Sequence, residues 1–348
     1  MTKSNVLAGT IAATCLAFSA HAQANLTGET TPPTEIAAQA MFGVAELAAN
    51  AGIANIQVAA GQTLTNSVQN VAEGKTDIAA APFILPFLLS KGAGPYASLG
   101  AEAGAELAGN LSVLYTYRFS VFGLSAFESK NFGGWSAIEG ATIYNGPPRG
   151  AALNKARAMV RIATGLEDGT GYSGIQVNWG QAVATITDGS ADAHVLPMNF
   201  PDSRLSQAAA SGSMVVFSFP REAFESEGGS NFGNAPGSAA VVEPITDDLF
   251  GPGISVVSED GMFRGYADIG GDVVNVSMDE QIAYQLTKTF LEGLPQITAR
   301  TPSMPKAWLG ETDPSITGMC GPNPIKYHPG AVRAWEEAGY TLPDCAKP

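Results

Sequence analysis

Residues 67–82 read SVQNVAEGKTDIAAAP, and residues 182–197 read AVATITDGSADAHVLP. Set one above the other, Gly74 falls on Gly189, Asp77 on Asp192 and Pro82 on Pro197, each pair 115 residues apart. Both stretches have the same physical reading. Apolar residues at i and i+3 (Val68 and Val71; Val183 and Ile186) mark one face of a short helix, and a Gly closes it in the left-handed region. An Asp turn then leads into an apolar strand that stops at Pro.

The same offset recovers a second pair upstream. Thr31-Pro32-Pro33-Thr34 precedes a helix pattern over 34–49, and Gly146-Pro147-Pro148-Arg149 precedes another over 150–163, with Leu153, Ala156, Val160 and Ala163 on one stripe. Proline suits a helix start, where its missing amide hydrogen has no intrahelical partner to lose. Two matches at one offset predict two lobes, each a strand–helix–strand–helix unit on a mostly parallel sheet.

The expected class is therefore α/β. Two mostly parallel sheets are joined by hinge strands, with a ligand cleft between the lobes. Residues 23–123 plus 269–348 form lobe I and 124–268 lobe II. Crossovers near Ser120–Ser125 and Gly270–Val274 form the hinge. A strand pattern over Asp272–Ser277 and a helix over Met278–Leu291 lead into the tail. The segment Glu225–Tyr266, rich in Gly, Pro and Ser, has no periodicity to read.

Composition narrows the function. Hydrophobic residues make up 45% of the 348, enough for a substantial core, and only 14% are charged, against roughly 25% in typical domains. Disorder needs the opposite balance. With 32 Asp+Glu against 18 Lys+Arg, the net charge is −14, which repels phosphate backbones and excludes nucleic acid as a partner. Residues 1–22 carry Lys3, an apolar stretch from Val6 to Phe18 and Ala20-His21-Ala22, the pattern of a cleaved export signal. The expected compartment is the periplasm. Loss of Cys15 with that signal leaves Cys320 and Cys345 in oxidising surroundings, and we expect a disulfide between them that pins the tail.

Open α/β sheets bind ligands beyond the carboxyl ends of their strands, beside helix N-termini whose free amides suit an anion. The cleft loops are then Thr30–Thr34, Gly61–Ser67, Asn145–Gly150 and Val177–Gln181. Their candidate ligand residues are Thr31, Thr34, Thr63, Thr65, Asn66, Ser67, Asn145, Arg149, Asn178, Trp179 and Gln181. Arg149 at a helix start opposes the helix dipole, and an anionic ligand would relieve that mismatch.

The tail Tyr327-His328-Pro329-Gly330-Ala331-Val332, running into Trp335-Glu336-Glu337-Ala338-Gly339, resembles the closing signature of TAXI-type solute receptors of TRAP transporters. The helix sequence Met278–Lys288 and the turn Glu73–Asp77 are similar to that family's as well. The resemblance implies a type II periplasmic-binding-protein fold, monomeric, that closes on a small organic anion such as an amino or keto acid. It would deliver that ligand to a membrane permease of TRAP type. Thr30-Thr31-Pro32-Pro33 stands where the family has a Gly-rich turn, and Pro147-Pro148-Arg149-Gly150 where it has a Gly/Ser-rich loop.

Two rival readings follow from the same residues. The receptor could serve an ABC importer or a sensor system, or the scaffold could carry an exported hydrolase. Against the hydrolase, no G-x-S-x-G or P-loop occurs, and neither His194 nor His328 has another His or Cys at ligand spacing. His194 reads as a satisfied sheet-edge residue and His328 as a cap that orients the tail. No catalytic residue, metal or cofactor is expected.

Overall fold

A computed structural model describes residues 23–348; the export signal read over 1–22 lies outside the described residues. Twelve strands form one curled sheet: β1 Ala24–Glu29, β2 Ala54–Ala59, β3 Ile78–Pro82, β4 Leu111–Phe127, β5 Thr142–Tyr144, β6 Ser173–Ile175, β7 Ala193–Met198, β8 Met214–Phe217, β9 Ser238–Pro244, β10 Ile254–Val257, β11 Met262–Asn275 and β12 Lys326–Tyr327. Its main path runs β2-β1-β3-β11-β4-β7-β5-β6.

That order is symmetrical. The parallel triplet β2-β1-β3 abuts the long antiparallel strand β11, and the parallel triplet β6-β5-β7 abuts the long antiparallel strand β4. The two parallel sheets expected from the repeat are these triplets, and β4 paired with β11 knits them into one ladder. Helices Ile36–Asn50 and Ala151–Thr164 occupy equivalent crossovers, as do Leu64–Ala72 and Ala182–Thr187. The former two join neighbouring strands and the latter two return past the first strand of the triplet to its other side, as parallel strands need a crossover, usually a helix.

The repeated Asp has a repeated task. Asp77 accepts hydrogen bonds from the Thr27 amide at 2.7 Å and the Thr27 hydroxyl at 2.8 Å, while Asp192 accepts from the Thr142 amide at 2.8 Å. Each carboxylate fastens the entry to the third strand of its triplet onto the first. The preceding glycines, Gly74 and Gly189, have φ of 71° and 74°, the left-handed turn that the pattern required. One detail differs: β3 ends at Pro82, but β7 runs through Pro197 to Met198. Pro197 is paired there with Phe122 of β4.

Three apolar clusters fill the molecule. One gathers residues from 36 to 119 and from 273 to 346; the other two draw on 121–269. Strands β4 and β11 run through all of them. Their register slips between Asp268 and Ile269 and again between Asp272 and Val273, as at β-bulges, which bend a strand and raise its twist. Gly270 and Gly271 lie between those slips, where any Cβ would collide with the Ala81 and Tyr115 carbonyl oxygens of the flanking strands.

The tail returns to the first cluster. Helix Glu280–Thr298, longer than its sequence pattern suggested, packs on helix Pro329–Glu337 and on Ile36–Asn50. His328 caps Pro329–Glu337, its Nδ1 accepting from the Gly330 amide at 3.2 Å, and Cys320 is joined to Cys345, both as expected. His194 corrects its reading. It lies fully buried on β7, which is flanked on both sides by β4 and β5, so it is not at an edge, and its Nε2 has no partner. The unread segment Glu225–Tyr266 forms helix Glu227–Gly233, then β9, β10 and the start of β11.

Candidate functional site

Strand β4, LSVLYTYRFSVFGLSAF, is buried along nearly its whole length, and Arg118 is its one charged residue. Alternation puts Tyr115 and Tyr117 on one face, where both hydroxyls donate to Asp272 at 2.6 Å. Thr116 and Arg118 face the other way, toward the segment that follows helix Glu280–Thr298. That segment is docked on the strand by main-chain bonds, from the Arg118 amide to the Ala307 carbonyl at 2.7 Å and from the Gly310 amide to the Thr116 carbonyl at 2.8 Å.

The Arg118 guanidinium lies between two aromatic rings. Its Cζ is 4.7 Å from the Phe200 centroid and 5.3 Å from that of Trp308. Arg118 is 0% exposed, and its Nε, Nη1 and Nη2 have no hydrogen-bond partner among the described residues. Burial draws its pKa down to about 10, and the charge of Glu243 opposes that fall only partly. Glu243 is itself bound to Lys306 at 2.7 Å. Trp308 holds its place with a φ of 51°, one of two non-glycine residues in the left-handed region, a conformation that costs on the order of 1–3 kcal/mol.

A bare guanidinium in such surroundings is unfavourable. Cation–π contacts contribute about 2 kcal/mol or somewhat more per desolvated ring, whereas removing a charge from water costs several kcal/mol and leaves all five N–H donors without acceptors. The fork offers five donors in one plane, suited to two oxygens of a single anion.

A second polar centre adjoins it. Glu35, at the start of helix Ile36–Asn50, makes no capping bond. Its carboxylate instead accepts from Asn199 Nδ2 at 3.2 Å and lies 3.8 Å from Arg204, both residues beyond the end of β7. Arg204 also donates to the Pro197 carbonyl at 2.6 Å and lies 5.2 Å from the Trp179 ring centroid. Burial lowers its pKa, but Glu35 and Asp202 together more than reverse this and raise it. Asp202 caps helix Ser203–Ala209 through the Leu205 amide and accepts from the Asn199 amide. Because Asn199 and Phe200 are consecutive, the two centres share one turn of chain. Four buried polar atoms on the segments that lead into this junction have no partner among the described residues: Thr30 Oγ1, Thr31 Oγ1, Tyr144 OH and Asn199 Oδ1.

The residues singled out from sequence are distributed as follows. Thr31 lies by the Glu35 turn, and Trp179 covers Arg204. Asn145 is buried, but its amide is taken up by Asp168 and Gln176. Ser67 is buried in the first cluster beside Glu29, and Thr65 accepts from the Tyr96 hydroxyl through its carbonyl. Thr34, Thr63, Asn66, Arg149, Asn178 and Gln181 are exposed. The buried cation without a partner is Arg118, which the loop-based reading passed over. Its signal was present as one Arg in an otherwise apolar and aromatic run.

No group of three or more His, Cys, Asp or Glu suited to a metal ion occurs among the described residues, and no described helix is long and apolar enough to cross a membrane. No family model and no curated protein matches the chain. Among solved structures, it is similar to a marine metagenome TRAP solute binding protein specific for pyroglutamate, with 12% identity, 91% of each chain covered and a TM-score of 0.46. A TRAP periplasmic solute binding protein from Ralstonia eutropha H16 with bound (S)-2-acetolactate gives 12% identity, 90% of this chain and 93% of that one, and 0.45. The periplasmic nitrate-binding protein NrtA from Synechocystis PCC 6803 gives 12%, 81% and 67%, and 0.45. These neighbours are periplasmic solute-binding proteins. At such scores the likeness is coarse, and the function is read from the site.

Proposed function

We propose that the protein is an extracytoplasmic receptor that captures a small organic anion and hands it to a membrane permease, without chemistry of its own. The observation that carries this reading is Arg118, fully buried between Phe200 and Trp308 with all three guanidinium nitrogens unpartnered. An anion held by that fork supplies the missing counter-charge. The role assigned from sequence to Arg149 passes in this reading to Arg118, while Thr31 and Trp179 remain beside the ligand. Lobe I, 23–123 plus 269–348, and lobe II, 124–268, close over it as a monomer in the periplasm. The tail resemblance favours a TRAP-type permease.

The test is a thermal-shift panel of carboxylates, sulfonates, sugars and amino acids, run on the protein as purified and again after unfolding and refolding. A ligand at 100 times its Kd adds about 2.7 kcal/mol, and the shift should vanish in Arg118→Met. A flat response from both preparations, or a shift that Arg118→Met leaves intact, would overturn the reading.

A further inference from the structure

The site offers an unpaired cation, and the carboxylates on the segments that meet there are engaged, Glu311 by the Thr312 and Asp313 amides. Glu243 is bound to Lys306 at 2.7 Å. Glu35 accepts from Asn199 and faces Arg204. Asp202 takes the Asn199 and Leu205 amides. The charge left over at this junction is that of Arg118. The unpartnered polar atoms on the chain segments that lead into it, Thr30 Oγ1, Thr31 Oγ1, Tyr144 OH and Asn199 Oδ1, are neutral.

An amino acid would bring an ammonium as well as a carboxylate into this junction. Buried away from water, an ammonium needs an anionic acceptor or costs several kcal/mol. Taking Glu35 for that purpose would leave Arg204 with Asp202 alone, at 4.0 Å, and taking Glu243 would strip Lys306. A carbonyl or hydroxyl next to the acid group makes no such demand, and the free hydroxyls and the Asn199 carbonyl oxygen can satisfy it.

We propose, resting on the receptor reading above, that the ligand of Arg118 is a monoanion without an ammonium group, an oxo- or hydroxy-acid in preference to the amino acid of the same skeleton. Calorimetric titration of matched triplets tests it: pyruvate, lactate and alanine; 2-oxoisovalerate, 2-hydroxyisovalerate and valine. Ethanesulfonate and nitrate are titrated alongside, and every titration is repeated on Arg118→Met. The expected result is that an oxo- or hydroxy-acid binds at least tenfold tighter than its amino acid, and that Arg118→Met abolishes binding. An amino acid that binds equally or more tightly, with binding still lost in Arg118→Met, overturns this inference and leaves the receptor reading standing. If neither triplet binds, the inference also falls. Binding of ethanesulfonate that depends on Arg118 then preserves the receptor reading, whereas binding of nitrate alone, or a flat response to every anion, removes both.

Discussion

Glu35 and Asn199 are joined by a 3.2 Å hydrogen bond although 164 residues separate them. Glu35 follows β1 of the first parallel triplet, and Asn199 follows β7 of the second. With Arg204 at 3.8 Å, they clasp the two halves of the sheet beside the buried cation.

A clasp made only when the halves are together slows ligand escape. Glu35→Gln should raise the ligand off-rate about five- to tenfold, equivalent to about 1–1.4 kcal/mol, and change the on-rate little. Stopped-flow displacement measures both; an unchanged off-rate would mean that the clasp plays no part in retention.

The unpaired guanidinium should make the ligand-free protein less stable than it could be. Arg118→Met keeps the bulk, removes the charge and should stabilise the empty form by about 1–4 kcal/mol while abolishing binding. Arg118→Lys keeps the charge but loses the planar fork, so it should bind weakly and gain no stability. Urea unfolding without ligand distinguishes the three proteins.

Two buried groups oppose each other below neutral pH. Burial raises Asp272 to about 6 although two Tyr hydroxyls bond it, and burial lowers His194 to about 4. For Asp272 the folded value exceeds the unfolded one, so its contribution is full below about pH 4 and is lost as pH rises through 6. For His194 the folded value is lower, so stability rises over pH 4–6.5. Asp272→Asn should leave a stability that climbs across this window, and His194→Asn one that falls. Each difference from wild type should reach about 3 kcal/mol, read from urea midpoints at pH 4, 5, 6 and 7. Parallel pH profiles in the two variants would contradict the assignment.

Lys155 anchors helix Ala151–Thr164 to β11 through Asp268 and the Ala267 carbonyl, both at 2.6 Å, and is buried. Lys155→Ala strands Asp268 in a poorly hydrated site and should cost about 3–5 kcal/mol, with affinity for the anion unchanged at temperatures where the variant remains folded. A loss below 1 kcal/mol in urea would show that Asp268 finds another partner.

The bridge between Cys320 and Cys345, 25 residues apart, holds the tail that carries Trp335. Its reduction should remove about 3–4 kcal/mol on the loop-entropy account, seen as a lower melting temperature in reductant that Cys320→Ala reproduces without reductant.

The repeat was legible because it is local. Gly74 and Gly189 take the left-handed turn the pattern demanded, and Asp77 and Asp192 both reach back to a Thr on the first strand of their triplet. Thr27 and Thr142 stand at the same offset of 115, a third match that was there to be found. Arg118 was not legible by the same route, because ligand loops lie at strand ends while this side chain leaves the middle of a long strand. Its partners, Phe200 and Trp308, come from distant segments, and no sequence spacing brings them together. The stretch from 225 to 266 hid β9 and β10 because each pairs with one neighbour only, at the margin of the sheet, and Val242 and Val257 lie exposed. The half-buried alternation that marks a strand is therefore faint.

Arg118 stands opposite Ile269, at the slip in register between β4 and β11. The residue that in the proposed receptor meets the ligand's charge is thus part of the backbone where the two long strands slip past each other. Most of a receptor's response could be transmitted sideways through packed layers, but here the detector and the joint are the same few peptide units. On the proposed reading, loading the site would alter the mechanics of the molecule at their source, with no intermediary to be tuned or lost.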